Sequence, residues 1–522
     1  MPQRRTDLDA LRSFAMALGI AVHASLAFYQ SPWPVHDTHP SGLLALLVLA
    51  IHGFRMPLFF LLSGFFTMLV YQRRGLVSLL QQRFARIAVP LALAMATIGP
   101  LDAMLERHAI RTVRPEPAIA EIFAGAADAV RHRFAAGADV EGRDAVFHRR
   151  MLSWAACSNH ASVVAAVLDA GADINARGGL GDTTLHEAVA FGRDDAVAAL
   201  LDRGADPRIA NRSGRTPLAM TLLSPALASE YAPLLGLPPL EADEIARGRE
   251  RIRELLGDVE MTVGGPLDRV VLAYWRWLGS DRFQFRFGGK PFHLVDTNIF
   301  DHLWFLWFLC WLVAAFAVLA RCNLLPTGRH RWWLVPLSLG PQLFMGQSMS
   351  GFFGPDTSFG LLPLPHLLIF YGCFYFFGVA TFAAEGMETR LGARWPLLLP
   401  MAAVLCGAGI ATIGIRPADA VLQPAYAWAM ALGLIGLFHR LFPQASARVA
   451  WLADAAYWMY LAHVPLVLAA QIAIREWPLP GIVKFLLILV AVTTVLLVTY
   501  AWCVRPTILG RILNGPRTPA KR

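Results

Sequence analysis

The sequence predicts an all-α protein: a polytopic membrane helix bundle of about ten transmembrane helices, interrupted by an α-solenoid built from repeats. Long apolar stretches flank a more polar middle segment. Within that segment, the tripeptide Gly-Ala-Asp recurs three times, at intervals of 34 and 33 residues. Apolar residues make up 56% of the 522 positions and charged residues only 16%, which excludes a soluble protein for most of the chain.

Ten apolar stretches are long enough to cross a bilayer as helices, and the short connections between them alternate in charge. One set of connections carries only Arg416 and Arg475, whereas arginines crowd the other set. Because basic residues favour the cytoplasmic side, we expect both termini in the cytoplasm. Span parity then places the insert, at about 103–298, on the outer side, and one miscounted span before it would reverse that side. The predicted spans are 9–30, 43–70, 85–102, 301–320, 332–350, 363–384, 396–415, 420–438, 450–474 and 481–504.

The repeats begin their Gly-Ala-Asp phrases at Gly137, Gly171 and Gly204, and in period they resemble ankyrin repeats. The segment 181–188 matches the opening of such a repeat, and an amphipathic helix near 241–257 could close the stack. Stacked repeats present a concave surface, so we expect either a protein partner on that surface or a lid packed on the membrane domain. Both roles stay open.

The predicted organisation is a membrane domain split by the insert. Between insert and bundle, aromatic and basic residues alternate without a regular pattern, and we expect them in the outer headgroup layer, against membrane lipid, rather than on nucleic acid. The six cysteines show no metal or redox spacing, so neither a metal nor a disulfide framework is expected. The predicted units are 1–105 (membrane, first part), 115–260 (ankyrin insert), 261–298 (interfacial linker) and 299–510 (membrane, second part).

The first span combines an acid, a base and a histidine. Asp9 and Arg12 are three residues apart and can pair, and His23 follows Arg12 by eleven residues, close to three helical turns. Ionisable groups inside a span are costly and tend to face a cavity with a function. A histidine suits proton transfer near neutral pH, although a buried, hydrogen-bonded structural histidine fits equally well.

The second and third spans add further polar groups. His52 and Arg55 precede a proline in the second span, and Ser63 next to a glycine would let another helix approach closely. Arg83 and Arg86 begin the third span at its cytoplasmic edge, where paired guanidinium groups suit a phosphate or pyrophosphate. Arginines that anchor topology explain the same spacing equally well.

Later spans contribute three further candidates. Asp301 and His302 open the fourth span and could complete a polar site at the outer mouth. His463 lies in the middle of a late span, where an unpaired imidazole is costly, so we expect it to have a hydrogen-bond partner and to serve packing before catalysis.

Five phrases in order resemble the acyltransferase-3 family of integral membrane proteins, and in particular its glucan-biosynthesis branch. The resemblance implies transfer of an acyl group from cytoplasmic acyl-CoA, as acetyl-CoA or succinyl-CoA, to a carbohydrate hydroxyl at the outer side of a bacterial inner membrane. It puts the family's histidine on His23 and its paired arginines on Arg83 and Arg86. The ankyrin insert departs from the family pattern. The phrases are 9–12 with His23, 56–64, 83–90, 302–306 and 457–463.

These observations lead to one working hypothesis and two alternatives. In the hypothesis, acyl-CoA is held at the inner mouth of a cavity and the carbohydrate arrives from outside, with His23 as base or acyl carrier and Arg12 stabilising charge beside it. A non-catalytic membrane scaffold or receptor that presents the ankyrin surface is the main alternative. A transporter is weaker, since no duplicated halves are visible.

Overall fold

The computed structural model describes residues 5–29, 31–113, 116–261, 265–287, 290–326, 328–345, 353–383 and 392–515. It opens with three helices, of which the second and third are joined by a single π-helical turn, Phe84–Ala88. These helices are α1 (Thr6–Leu26), α2 (Gly42–Arg83) and α3 (Val89–Thr112).

The insert follows as a stack of short helices and ends in a hairpin. The helices are α4 (Pro117–Phe123), α5 (Ala127–Ala135), α6 (Met151–Ser158), α7 (Ala161–Asp169), α8 (Thr184–Ala190), α9 (Asp194–Asp202), α10 (Pro225–Leu234), α11 (Ala242–Leu256) and α12 (Pro266–Leu278). A 3₁₀ helix, Pro217–Leu222, lies between α9 and α10. Two antiparallel strands, β1 (Gln284–Phe287) and β2 (Lys290–His293), complete the segment.

The chain then returns to the bundle. A 3₁₀ turn, Asp301–Leu303, leads into the remaining helices, and a π-helical turn, Tyr500–Val504, precedes the last of them. They are α13 (Trp304–Arg321), α14 (Leu334–Leu337), α15 (Leu339–Gln342), α16 (Pro365–Ala383), α17 (Trp395–Ala411), α18 (Arg416–Leu441), α19 (Ala447–Ile474), α20 (Gly481–Thr499) and α21 (Ile508–Asn514).

Six helical stretches of the described chain are long and apolar enough to cross a membrane, and the protein is an integral membrane protein. One stretch, Gly42–Thr112, contains two predicted spans, and its backbone leaves helical geometry at Gly75 (φ 72°, ψ 176°). Seven of the ten predicted spans therefore fall in the six stretches. Two of the other predicted spans correspond to α1 and α17. The ionisable residues of α1 lower its mean hydropathy, and α17 is a shorter apolar helix.

The single span predicted at 332–350 is wrong over its described part. Residues 328–342 form a 3₁₀ helix, α14 and α15 in succession, each only one or two turns long. Pro336 and Pro341 each lack the backbone N–H that a continuous helix needs, and their rings crowd the preceding turn. Residues 346–350 lie outside the described part of the chain.

Close helix contacts build the bundle core. Helix α2 packs along α16, and α1 packs along α19. A Cβ atom on Gly64 would collide with the carbonyl of Tyr375, and one on Gly378 with the carbonyl of Leu61. The close approach predicted beside Ser63 is therefore confirmed. Pro57 lies inside α2, which continues as a helix past it.

The insert has a hydrophobic core of its own, separate from that of the bundle. Its three repeat glycines, Gly137, Gly171 and Gly204, have φ values of 92°, 98° and 89°, which a side chain would disfavour. Helix α11 packs on α8 and α9 and closes the stack, as predicted. The segment 261–298, expected to be irregular, instead forms α12 and the β1–β2 hairpin.

The insert docks on the end of the bundle that carries the loop between α1 and α2. The His36 Nε2 of that loop lies 2.9 Å from the Leu234 carbonyl oxygen at the end of α10. Arg416 Nε, at the start of α18, lies 2.9 Å from Asp268 Oδ1 on α12. Part of the repeat surface is thus turned towards the chain's own membrane domain, as a lid would be.

Candidate active site

A cavity of about 310 Å³ lies between the bundle and the insert. The bundle lines it with polar side chains, whereas the insert closes it with mostly apolar ones. Six of the predicted site residues lie on its wall: His23, His52, Arg55, Asp301, His302 and His463. Between residues 215 and 279, the insert contributes Arg215, Ala219, Leu222, Leu223, Ser224, Leu227, Glu230, Tyr231, Leu234, Leu272, Trp275, Leu278 and Gly279.

Two of these histidines form a directed pair. His463 Nδ1 lies 2.7 Å from the Tyr460 carbonyl oxygen, which only accepts, so Nδ1 carries the proton. In the neutral ring His463 Nε2 is then an acceptor, and His23 Nδ1, 2.9 Å away, donates to it. This assignment leaves the Nε2 lone pair of His23 unprotonated on a ring that lines the cavity.

Neighbouring groups hold the His23 ring in place. Gln471 Nε2 donates to the carbonyl oxygen of His23 at 2.9 Å, and its Oε1 accepts from Trp33 Nε1 at 2.8 Å. The Trp33 ring in turn stacks on the His23 ring, with centroids 5.6 Å apart and planes at 25°. Both the backbone and the ring orientation of His23 are thereby fixed.

Arg55 supplies positive charge to the same cavity. Its Nε is buried without a hydrogen-bond partner, and the charge lies within electrostatic range of Tyr371 and Tyr460. It also lies within electrostatic range of His23. An arginine held this way in an apolar bundle suits an anionic group or a developing negative charge. His52 Nε2 is instead engaged by the Pro355 carbonyl oxygen at 2.9 Å.

Arg83 and Arg86, which were also predicted as site residues, lie at the end of the bundle opposite the cavity. Arg83 Nη2 donates to Thr67 Oγ1 at 3.0 Å, and its Nε is buried without a hydrogen-bond partner. Thr67 in turn donates to the Ser63 carbonyl oxygen at 2.8 Å. Ser63 therefore orients Thr67 through its backbone, and Thr67 accepts the hydrogen bond from Arg83. Arg86 Nη2 donates to the Asn514 carbonyl oxygen at 3.0 Å.

Arg12 joins this second group and not the cavity of His23. Its Nη2 donates to the Ala453 carbonyl oxygen at 2.9 Å and lies 3.5 Å from Asp9, the pair predicted from their spacing. Its charge is close enough to repel that of Arg86. Eleven residues of α1 separate Arg12 from His23, about 16 Å along the axis. The expectation that Arg12 shares the cavity is therefore wrong, and Arg55 lies there instead.

A second cavity, of about 550 Å³, adjoins the first on the side of the repeats. Arg215 and Tyr231 line both, so the two cavities are neighbours at these residues. Burial, with the nearby charge of Arg416 second, lowers the pKa of Arg215 to about 9. Its Nη2 has no hydrogen-bond partner. The two cavities thus lie side by side between the repeats and the bundle.

The membrane bundle and the repeat-containing insert each match a known family, at the positions that the sequence predicted. Residues 5–115 and 259–501, more than half of the chain, match the family profile described as an acyltransferase domain. The chain belongs to the acyltransferase-3 family. Residues 119–221 of this acyltransferase match ankyrin repeats in three copies. Both resemblances predicted from the sequence are thus confirmed.

Curated relatives of the acyltransferase match over a short region. Glucans biosynthesis protein C of Shigella dysenteriae serotype 1 (strain Sd197) is 38% identical over 93 residues, 18% of this chain and 24% of the relative. The protein of the same name from Escherichia coli O1:K1 / APEC is 37% identical over 93 residues, with the same coverage. The chain therefore spans about a quarter of the length of the curated relatives it matches.

Sequence reasoning missed several residues of the acyltransferase's cavity. Gln471, Trp33 and Asp102 carry no motif, and their roles come from contacts across the chain. The signal available for Gln471 and Asp102 was a polar residue inside an apolar helix. No signal marked the insert residues that wall the cavity.

Proposed function

We propose that this acyltransferase moves an acetyl or succinyl group from cytoplasmic acyl-CoA to a hydroxyl of an exported carbohydrate, with a glucan as the preferred acceptor. We place it in a bacterial inner membrane, with cytoplasmic termini and a periplasmic insert. The observation that carries the proposal is the His463–His23 hydrogen bond, which leaves an imidazole lone pair next to Arg55 in the cavity. A base beside a group that can stabilise an oxyanion, here a positive charge, is the arrangement that acyl transfer to a hydroxyl can use.

The chemistry uses groups of the chain only. His23 Nε2 takes the proton of the acceptor hydroxyl as its oxygen attacks the thioester carbonyl carbon. Arg55 stabilises the negative charge that develops on the carbonyl oxygen. Collapse of the tetrahedral intermediate breaks the carbon–sulfur bond, and His23 returns the proton to the departing CoA thiolate. The imidazolium formed in between is stabilised by its Nδ1–H bond to His463.

The donor is held, in this proposal, from the opposite end of the bundle. Arg83 and Arg86 interact with each other's charge, and Arg12 adds a third cation near Arg86. Guanidinium groups bind phosphate oxygens in pairs, which suits the phosphates of CoA. Between this cluster and Arg55, Tyr375 lies near Arg83 and Tyr371 near Arg55, on neighbouring turns of α16. Both tyrosines are fully buried, so the proposal requires the pantetheine arm to displace or pass them on its way through the bundle.

The acceptor would enter from the side of the insert. The two adjoining cavities run from the repeats to His23, and the relatives with 37–38% identity are named for glucan biosynthesis. A protein partner on the part of the repeat surface turned away from the bundle stays a separate prediction. A non-catalytic scaffold has no use for a hydrogen-bonded base in a cavity. The arrangement around His23 therefore favours the acyltransferase over the scaffold.

The test is acyl transfer from radiolabelled acetyl-CoA and succinyl-CoA to a glucan acceptor by the purified full-length protein. We expect His23→Ala to abolish transfer, with a loss of at least about 10²-fold. His132→Ala removes an exposed histidine of the insert and serves as the matched control, with wild-type rates. Folding of both variants is compared by thermal unfolding in detergent. Wild-type transfer by a folded His23→Ala protein would refute the assignment.

A second measurement separates direct transfer from an acyl-enzyme. Labelled donor is supplied without acceptor, and the protein is isolated under conditions that preserve an acyl-imidazole. Label on the wild-type chain that is absent from His23→Ala establishes the covalent route. An unlabelled wild-type chain that still transfers when acceptor is added establishes direct attack.

A further inference from the structure

We propose that Asp102, Asp301 and His302 bind a divalent transition-metal ion, with zinc as the best fit, at the outer end of the cavity. The sequence predicts no metal because the ligand spacing is invisible along the chain: Asp102 lies on α3, before the insert, and the other two residues follow it. The fold brings them together where the insert leaves and rejoins the bundle. All three line the cavity of His23.

The distances between ligand atoms suit a single ion. His302 Nδ1 lies 3.3 Å from Asp102 Oδ2 and 3.7 Å from Asp301 Oδ2, and all three ligand atoms lie within 4.8 Å of one another. A tetrahedral zinc ion with bonds of about 2.1 Å holds its ligands about 3.4 Å apart. One imidazole and two carboxylates are a donor set that zinc and manganese accept.

The hydrogen bonds of His302 fix its tautomer in the orientation that a metal requires. Pro465 has no N–H to offer the Leu461 carbonyl in α19, so that oxygen is available to another donor. His302 Nε2 lies 3.2 Å from it and donates to it. Neutral His302 therefore directs an Nδ1 lone pair at the carboxylates, which is the arrangement found for metal-bound histidines.

Buried atoms without partners make the same point independently. Asp102 is 3% exposed, and both of its carboxylate oxygens lack a hydrogen-bond partner, as does Nδ1 of His302. Buried carboxylates without donors are costly, so a cation or a shared proton between these atoms would stabilise them. A single shared proton on His302 could pair with only one oxygen at a time, whereas a metal satisfies all three groups.

The ion would join the two ends of the insert. Asp102 lies where the chain leaves the bundle for the insert, and Asp301 lies where the chain returns to the bundle. One ion bound to both would therefore close a loop of nearly two hundred residues. Three protein ligands leave at least one coordination position for water or a ligand from the cavity. We expect the ion to hold the insert on the bundle and to raise the stability of the docked state.

The experiment uses the full-length protein in detergent, stripped with a chelator and then equilibrated separately with zinc and manganese. Bound metal per chain is measured by mass spectrometry after gel filtration, and thermal unfolding is followed with and without metal. Asp102→Asn and Asp301→Asn remove ligands, and the second is half-exposed, so it should not disturb folding. Asp296→Asn changes another carboxylate on the same cavity and is the matched control.

We expect one equivalent of zinc in the wild type and in Asp296→Asn, with a higher unfolding midpoint than in the stripped protein. Both ligand variants should bind at least about 100-fold more weakly and show no metal-dependent midpoint shift. Equal metal content in the wild type and in Asp301→Asn would overturn the proposal. So would a wild-type midpoint that neither metal moves, in which case protonated His302 neutralises the cluster. Neither readout depends on acyl transfer.

Discussion

His23 shows how much of the site depends on contacts that lie outside any motif. The sequence identified His23, Arg55 and His463 as polar residues within apolar spans, because such residues stand out by their cost. It could not pair His23 with His463, since 440 positions separate them and only the packing of α1 on α19 brings them to 2.9 Å. For the same reason it assigned Arg12, the neighbour in sequence, to a cavity that Arg55 occupies.

We expect His463→Leu to lower kcat by about 10²-fold or more, because His23 Nδ1–H loses its acceptor and the ring can turn or change tautomer. His463→Gln is the conservative variant, since its side-chain oxygen can still accept that bond and should restore part of the activity. KM for acyl-CoA should change little, because the residue lies far from Arg83 and Arg86. The measurement is steady-state kinetics over a range of pH. Equal rates for His463→Leu and wild type would assign His463 to packing alone.

A membrane-spanning helix could be predicted from the sequence where its length and apolar content are sufficient evidence. The prediction was poorer where the segment contains prolines or charged residues. The apolar spans that became α2, α13, α16, α18, α19 and α20 needed no tertiary information. A single span was predicted for 332–350 because the segment is apolar. Pro336 and Pro341 prevent a continuous helix there. Helix α1 is not among the six long apolar stretches of the described chain, and it carries the ionisable residues Arg12 and His23.

The contact between α2 and α16 predicts a contrast between two glycines. Gly64→Ala forces a Cβ against the Tyr375 carbonyl, and we expect a loss of about 1–3 kcal/mol in stability. Gly99→Ala, in α3, meets nothing within 4 Å and should be neutral or slightly stabilising, since alanine favours a helix. Thermal unfolding of both variants in the same detergent checks the pair. A Gly64→Ala protein as stable as Gly99→Ala would show that the two helices separate readily.

At the scale of the whole molecule, the sequence predicted two units but not their relation. The repeat period and the core of the insert follow from local pattern, as the positive φ values of the three repeat glycines illustrate. The docking of the insert depends on isolated contacts, such as His36 Nε2 to the Leu234 carbonyl oxygen at 2.9 Å, which carry no sequence signature. Whether the repeats were a free surface or a lid could therefore be decided only from coordinates.

Docking of the insert should depend on pH through His36. Burial against the insert lowers the pKa of His36 below its usual 6.5, despite the opposing effects of the Leu234 carbonyl and the Asp144 carboxylate. The charge of nearby His148 lowers it further. The docked state thus keeps His36 neutral, whereas a released loop takes up a proton as the pH falls below 6.5. The stability that His36 contributes is present above that pH and declines below it.

His36→Gln provides the matched variant, because its amide can still donate to the Leu234 carbonyl but does not titrate. We expect the wild type to lose more thermal stability than His36→Gln as the pH is lowered from about 8 to 5. Hydrogen exchange in α10 over the same range reports whether the loss occurs at the docking contact. Parallel pH profiles for the two proteins would show that His36 stays accessible to protons when docked.

The lid has one consequence for the choice of polymer. The insert covers the end of the bundle where the cavity of His23 lies, so the proposed sugar acceptor would have to enter sideways, past Arg215 and Tyr231, which line both cavities. If that proposal holds, we expect the width of a glycan, rather than its overall length, to limit its access: slender unbranched segments should reach His23, and bulky branch points should not.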